Sequence, residues 1–312
     1  MNKYNEIVHT YQRVLKFLIT DIWHLDMSEL SIMKARMVKY LKVLIITIKG
    51  FTNDKVGLQA TSLSFISAMS VVPFVSLMFA ITSGFGIGNR LEQLLYSYFH
   101  GNEEIISYIV KFANNIIQTS QNGVFGIISF LFLISTVVFL MLNVEKSFNE
   151  IWKLPSGRSF KKRVAYYALL LIFSPLVIFI FLTLGLVYTD TLNSIGLKID
   201  RFIPVTSIFT WLISYAFITG VFTIIYKFIP NTKVKLSAAF NSALLLSFAF
   251  IVVQFFYLET QIMVSGLNTV YGVFAAIPLF LVWMNISWTL ILFGAELSHA
   301  YQNVDKYDSQ SD

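Results

Sequence analysis

Residues Tyr271 to Tyr301 read YGVFAAIPLFLVWMNISWTLILFGAELSHAY. No Asp, Glu, Lys or Arg lies between Glu259 and Glu296. A hydrocarbon core of about 30 Å is crossed by about 20 apolar helical residues, so this run is long enough to span. Pro278, Asn285 and Thr289 lie inside it and Glu296 closes it. At about 100° per residue, offsets of 7, 11 and 18 from Pro278 bring all four onto one helix face. The run predicts a membrane helix with one polar stripe.

Five more charge-free runs precede it, at about 59–82, 123–142, 164–188, 202–226 and 236–258, and the sixth is 271–295. The first is rich in hydroxyls, including Ser62, Ser64 and Ser67. Ala60, Ser64 and Ala68 form a small-xxx-small series that lets a second helix approach closely. Pro73 predicts a kink there, tolerated where neighbours satisfy the freed carbonyl. Gly84, Gly86 and Gly88 end the run; with no strand before them and no βαβ unit after, they are no nucleotide fingerprint. The segment 90–121 carries charges between spaced apolar residues and predicts short interfacial helices.

Composition agrees with a membrane class. The chain is 56% hydrophobic and 13% charged, whereas soluble domains carry about 25% charged residues. The absence of cysteine excludes disulfides, thiolate metal sites and cysteine nucleophiles. The first apolar run begins near residue 60, which predicts an uncleaved signal anchor rather than a cleaved leader. With six spans, 19 Lys and Arg fall on the side holding both termini and 4 on the other. The positive-inside rule then places both termini in the cytoplasm. A lysine at mid-membrane costs about 2.5–3.5 kcal/mol on insertion scales, which explains why none interrupts a span.

The expected organisation has three parts. Residues 1–55 carry nine basic residues and form amphipathic helices at the cytoplasmic interface; residues 56–300 form the membrane domain; a polar tail, 301–312, frays. In the segment 34–49, Met37, Leu41, Leu44 and Ile48 share one face. That face meets either the membrane surface, where lysines contact anionic lipid, or the protein's own cytoplasmic side.

Enzyme chemistry finds no constellation. His9, His24, His100 and His299 lack metal-ligand spacing, and there is no GxSxG elbow. The chain is read as a non-enzyme without cofactor or metal. Polar groups within spans tend to face the bundle interior. The candidate substrate path or gate is Ser62, Ser64, Ser67, Pro73, Asn143, Glu145, Asn149, Asn285 and Glu296. The bland alternative is interhelical hydrogen bonding, worth about 0.6 kcal/mol each, or pairing of Glu145, Glu150 or Glu296 with Lys146 or Arg163. Trp152, Lys161, Lys162 and Arg163 are the expected interfacial anchors. The basic loop 153–163 is a topology determinant and a contact for anionic lipid, not a nucleic-acid site.

Three motifs in order, Leu63-Ser-Phe-Ile-Ser-Ala-Met-Ser-Val-Val-Pro73, Asn149-Glu-Ile-Trp152, and Tyr271-Gly272 leading to Phe293-Gly-Ala-Glu-Leu297, resemble the YihY/BrkB family of bacterial inner-membrane proteins. The resemblance covers about residues 45–300 and implies six transmembrane helices. Some members carry a ribonuclease label, which no residue pattern here supports. The family often has Asn after Gly-Ala-Glu-Leu; this chain has Ser298-His299. The expectation is an all-α multi-pass protein that moves a lipid or another amphipathic envelope component, with membrane lipids as partners and no nucleic acid. A non-transporting scaffold that works through residues 1–55 is the alternative.

Overall fold

The computed structural model describes residues 16, 20–25, 30–84, 86, 88–98, 107, 110–111, 114–115, 124–155, 157–169, 205–265 and 269–308. No strand occurs among them. A short 3-10 turn, Asp21–His24, precedes the helices. Helix α1 is Ile32–Asn53, α2 Val56–Gly84, α3 Gly88–Tyr98 and α4 Val124–Ile151. A helical segment at 160–169, α5, opens the expected third span, the rest of which lies outside the described residues. Helix α6 is Val205–Phe228, α7 Leu236–Ser265 and α8 Thr269–Asp308.

Among the described residues, three helices contain segments long and apolar enough to cross a membrane, at Trp211–Phe228, Leu236–Gln261 and Ile277–Tyr307. Helix α2 supplies a fourth if its two parts, Val56–Val71 and Pro73–Ser83, are one span; they meet at 46°. The bend falls where Pro73 cannot donate to the helical ladder. Helix α8 contains the 271–301 run and is the hub, packing on α7, α2 and α1 and touching α4 and α6. Its 40 residues make it about 60 Å long, twice the thickness of a hydrocarbon core.

The main core lies at one end of this assembly, the end that carries Lys49, Lys55, Lys153 and Lys227. Leu292, Ala295 and Ala300 of α8 meet Ala239, Ala243 and Leu246 of α7, with Phe148 and Tyr226 filling the interior. Small residues let these backbones approach closely. Away from that end, Phe132, Phe139, Phe255, Phe256 and Val282 point outward. An apolar exterior is what a lipid environment permits and water does not.

One expectation is corrected. The polar tail does not fray at residue 301, because α8 continues to Asp308. Asp305 pairs with Lys39 at 3.2 Å, and Gln302 accepts from the Lys235 N–H at 2.6 Å and donates to the Lys233 carbonyl at 3.1 Å. For the apolar face of α1, two settings were open, the membrane surface and the protein's own side, and it is a different face that meets the protein. Lys42, Val43, Ile46 and Thr47 are buried, whereas Met37, Leu44 and Ile48 are exposed. Helical periodicity finds a stripe but does not say what covers it.

Candidate functional site

Two short backbone breaks at the basic end build the site. Helix α1 ends where the Asp54 N–H bonds the Gly50 carbonyl at 2.8 Å, and Lys55 then takes a left-handed φ of 53° before α2 begins. Helix α4 ends in a Schellman arrangement. The Lys153 N–H bonds the Glu150 carbonyl at 3.0 Å, the Leu154 N–H bonds the Asn149 carbonyl at 2.9 Å, and Lys153 has φ 54°. Glycine is the usual occupant of that conformation, and an L side chain there costs about 1–2 kcal/mol. The cost is matched by position, because Lys153 forms an ion pair with Asp54.

Beside this pair is a cavity of about 340 Å³, lined by Trp23, Gly50, Asp54, Lys153, Glu296 and His299 among others. Glu296 is 2% exposed and its Oε1 has no hydrogen-bond partner among the described residues. The same holds for Asp54 Oδ2. The two carboxyl groups face each other. Gly50 lets the Glu296 carboxyl approach closely: a Cβ at that position would require the end of that side chain to shift. His299 is buried and set edge-on to Trp152, ring centroids 5.2 Å apart. His299 thereby places its imidazole in the cavity wall.

A second polar cluster surrounds Glu145, beyond the apolar run of α4. Its Oε1 accepts from the Arg158 N–H at 3.0 Å, Tyr167 donates its hydroxyl to Oε2, and Arg163 Nε lies 3.4 Å from Oε2. Burial alone would raise the carboxyl's pKa, but these donors together hold it below the usual range. Arg158 also reaches α6, donating to the Ile229 carbonyl at 2.8 Å and the Pro230 carbonyl at 3.2 Å. It thereby caps the end of α6 with positive charge. Asn149 serves the same corner, accepting from the Asn231 N–H at 2.9 Å. These contacts are architectural.

The other expected path residues are placed as follows among the described residues. Ser62 is exposed. Ser64 donates to its own helix at the Thr61 carbonyl, 2.8 Å, and Asn143 does likewise to Phe139, 2.8 Å. Ser67 accepts from Trp288 Nε1 at 2.9 Å, and Asn285 donates to Thr61 at 3.0 Å. Pro73 lies at the α2 bend. So α2 and α8 satisfy one another's polar groups within the bundle. The polar stripe of α8 is also divided: Pro278 is exposed, Asn285 meets α2, and Glu296 meets α1. Replacing Asn285 with alanine is expected to lower stability by only about 0.6 kcal/mol, read as a small fall in the unfolding midpoint in detergent.

Among the expected anchors, Lys161 and Lys162 are exposed. Arg163 is drawn to Glu145 instead. Trp152 is corrected from an interfacial residue to a core one, 6% exposed, because the tight end of α4 turns it toward His299. Asp54, Lys153, Lys49 and Trp23 were not legible as site residues. The only sequence signal was their abundance of charge near Gly50, which reads equally as topology.

Apolar helices of spanning length around a common hub define a multi-pass helical membrane protein. The chain belongs to the Virulence factor BrkB family, whose profile matches residues 47–312. It is 27% identical over 273 residues to a UPF0761 membrane protein of Haemophilus influenzae (strain 86-028NP), covering 84% of this chain and 96% of that one. It is 29% identical to UPF0761 membrane proteins of Alcanivorax borkumensis and of Janthinobacterium sp. (strain Marseille), covering 82% and 83% of this chain. The chain spans only 59% of the length of those two relatives. No solved structure matches it.

Proposed function

We propose that this protein crosses a bacterial cytoplasmic membrane six times with both termini in the cytoplasm, and that it moves a lipid or another amphipathic envelope component. The observation that carries this reading is the mostly apolar cavity at the basic end, with Asp54, Glu296, Lys49 and Lys153 set into its wall, beside a helix whose outer face is apolar and exposed. Helix α1 thus has one side for the bilayer interface and one for the cavity, which is how an amphipathic molecule would be met. The charge segregation of 19 to 4 supports the orientation. The reading includes no catalysis and no cofactor.

The purified protein in vesicles is expected to accelerate exchange of labelled lipid between leaflets, and Glu296→Gln to slow it. Rates equal to those of protein-free vesicles across several lipid classes would overturn the reading. One observation favours a scaffold instead: Ser67, Asn285 and Trp288 are bonded between helices rather than open to a passage. A scaffold acting through its N-terminal part would lose function on deletion of residues 1–40 while its membrane bundle stayed folded.

A further inference from the structure

The cavity at the basic end has an ordered charge. Its carboxyls lie deep, with the Glu296 side chain 2% exposed and that of Asp54 11% exposed. Its ammonium groups lie at the rim, where the side chain of Lys153 is 55% exposed and Lys49 is exposed. Lys49 stands 6.0 Å from the Trp23 ring centroid, a cation–π distance that holds it beside the opening. Lys153 is held by its left-handed backbone.

Two acceptors in the interior, Glu296 Oε1 and Asp54 Oδ2, are buried and meet no N–H or hydroxyl of another residue among the described residues. The two carboxyl groups lie within hydrogen-bond reach of each other and can satisfy one another only by sharing a proton. Two facing carboxyl groups that are both ionised repel each other, and burial makes that costly. A primary ammonium offers three N–H donors and a positive charge, enough to serve both in place of the shared proton. A phosphate at the other end of the same small molecule would meet the rim lysines.

We propose that this cavity binds a zwitterionic aminoalkyl phosphate, ammonium inward at Glu296 and Asp54 and phosphate outward at Lys49 and Lys153. The group is the head of an aminophospholipid or the same zwitterion free in solution. As a step in lipid movement the assignment rests on the transport reading; as a binding site it does not. At about 340 Å³ the cavity is at the small end for ligand sites, of size for a head group and not for acyl chains. A quaternary amine has no N–H to give the two acceptors, and inorganic phosphate has no positive end. Both should bind poorly.

The test titrates the purified full chain in detergent with phosphoethanolamine, phosphocholine, ethanolamine, inorganic phosphate and a short-chain phosphatidylethanolamine, by calorimetry and tryptophan fluorescence. Phosphoethanolamine is expected to bind at least roughly tenfold more tightly than the three partial mimics, one charge-assisted contact being worth about that factor. Glu296→Gln and Lys153→Gly should each weaken it by a similar factor. Lys153→Gly suits the left-handed backbone, which offsets part of the cost of removing the Asp54 ion pair; a cooperative unfolding transition in detergent verifies that the variant is folded. Tighter binding of the short-chain lipid assigns the head group to lipid; equal or tighter binding of phosphoethanolamine assigns it to a soluble source. No binding of either, equal affinity for phosphocholine, or affinity unchanged in both variants would overturn the proposal. Lipid movement without head-group binding would remove this inference alone, and binding without movement would remove the transport reading alone.

Discussion

Glu145→Ala is expected to lower stability by about 3–5 kcal/mol, the usual result of breaking a buried ion pair from one side. The residue is 2% exposed and serves Arg158, Arg163 and Tyr167 together. Its removal leaves two guanidinium groups near a buried position without their counter-ion and loosens the corner that joins α4 to the end of α6. A large fall in the unfolding midpoint in detergent is the check; a change within experimental error would mean the cluster is solvated and weak. The same residue makes an acid prediction. Its folded-state pKa lies below that of the unfolded chain. Its contribution is therefore full above the unfolded value and is lost as pH falls through the folded value. Wild-type protein should lose stability more steeply in acid than Glu145→Gln, whose side chain does not titrate.

Gly294→Ala is the second large effect. A Cβ there would lie 2.5 Å from Tyr226 Cζ and 2.9 Å from Leu246 Cγ. Tyr226 is fully buried and wedged between Phe148 and Phe222, at ring-centroid distances of 6.4 and 5.9 Å, so it cannot swing away. Overpacking of this kind costs about 1–3 kcal/mol. The Tyr226 hydroxyl has no hydrogen-bond partner among the described residues. Tyr226→Phe alone should then be near neutral, and it should recover part of the Gly294→Ala loss. Unfolding midpoints of the two single variants and the double variant check this; strict additivity would show that the ring and the glycine do not meet.

Those two cases show how far a sequence can be read. The Gly of Phe293-Gly-Ala-Glu-Leu297 is visible in the chain, but the tyrosine that requires it is 68 residues earlier. Glu145 was legible as a charge at a helix end, and its pairing with Arg163 as one alternative. That Arg158 would join it was not, because the link passes through a loop and the carbonyls of another helix. Asn285 and Glu296 were read as members of one polar stripe. Asn285 is one half of a hydrogen bond to Thr61, whereas Glu296 lines a cavity.

By itself the sequence determined that this chain is helical and made for a membrane. Charge-free runs of spanning length admit few other solutions, because each unpaired backbone group in lipid costs several kcal/mol and a helix satisfies its own. It also placed Pro73 at a bend and put the long 271–301 run in one helix. Only the tertiary structure decided which face of α1 is covered, that α8 runs on to Asp308, and that Glu296 meets Asp54 across Gly50. The physical reason is range. Burial and backbone hydrogen bonding act residue by residue and leave a periodic mark, whereas the encounter of two carboxyls 242 positions apart depends on how three helix ends are turned toward one another.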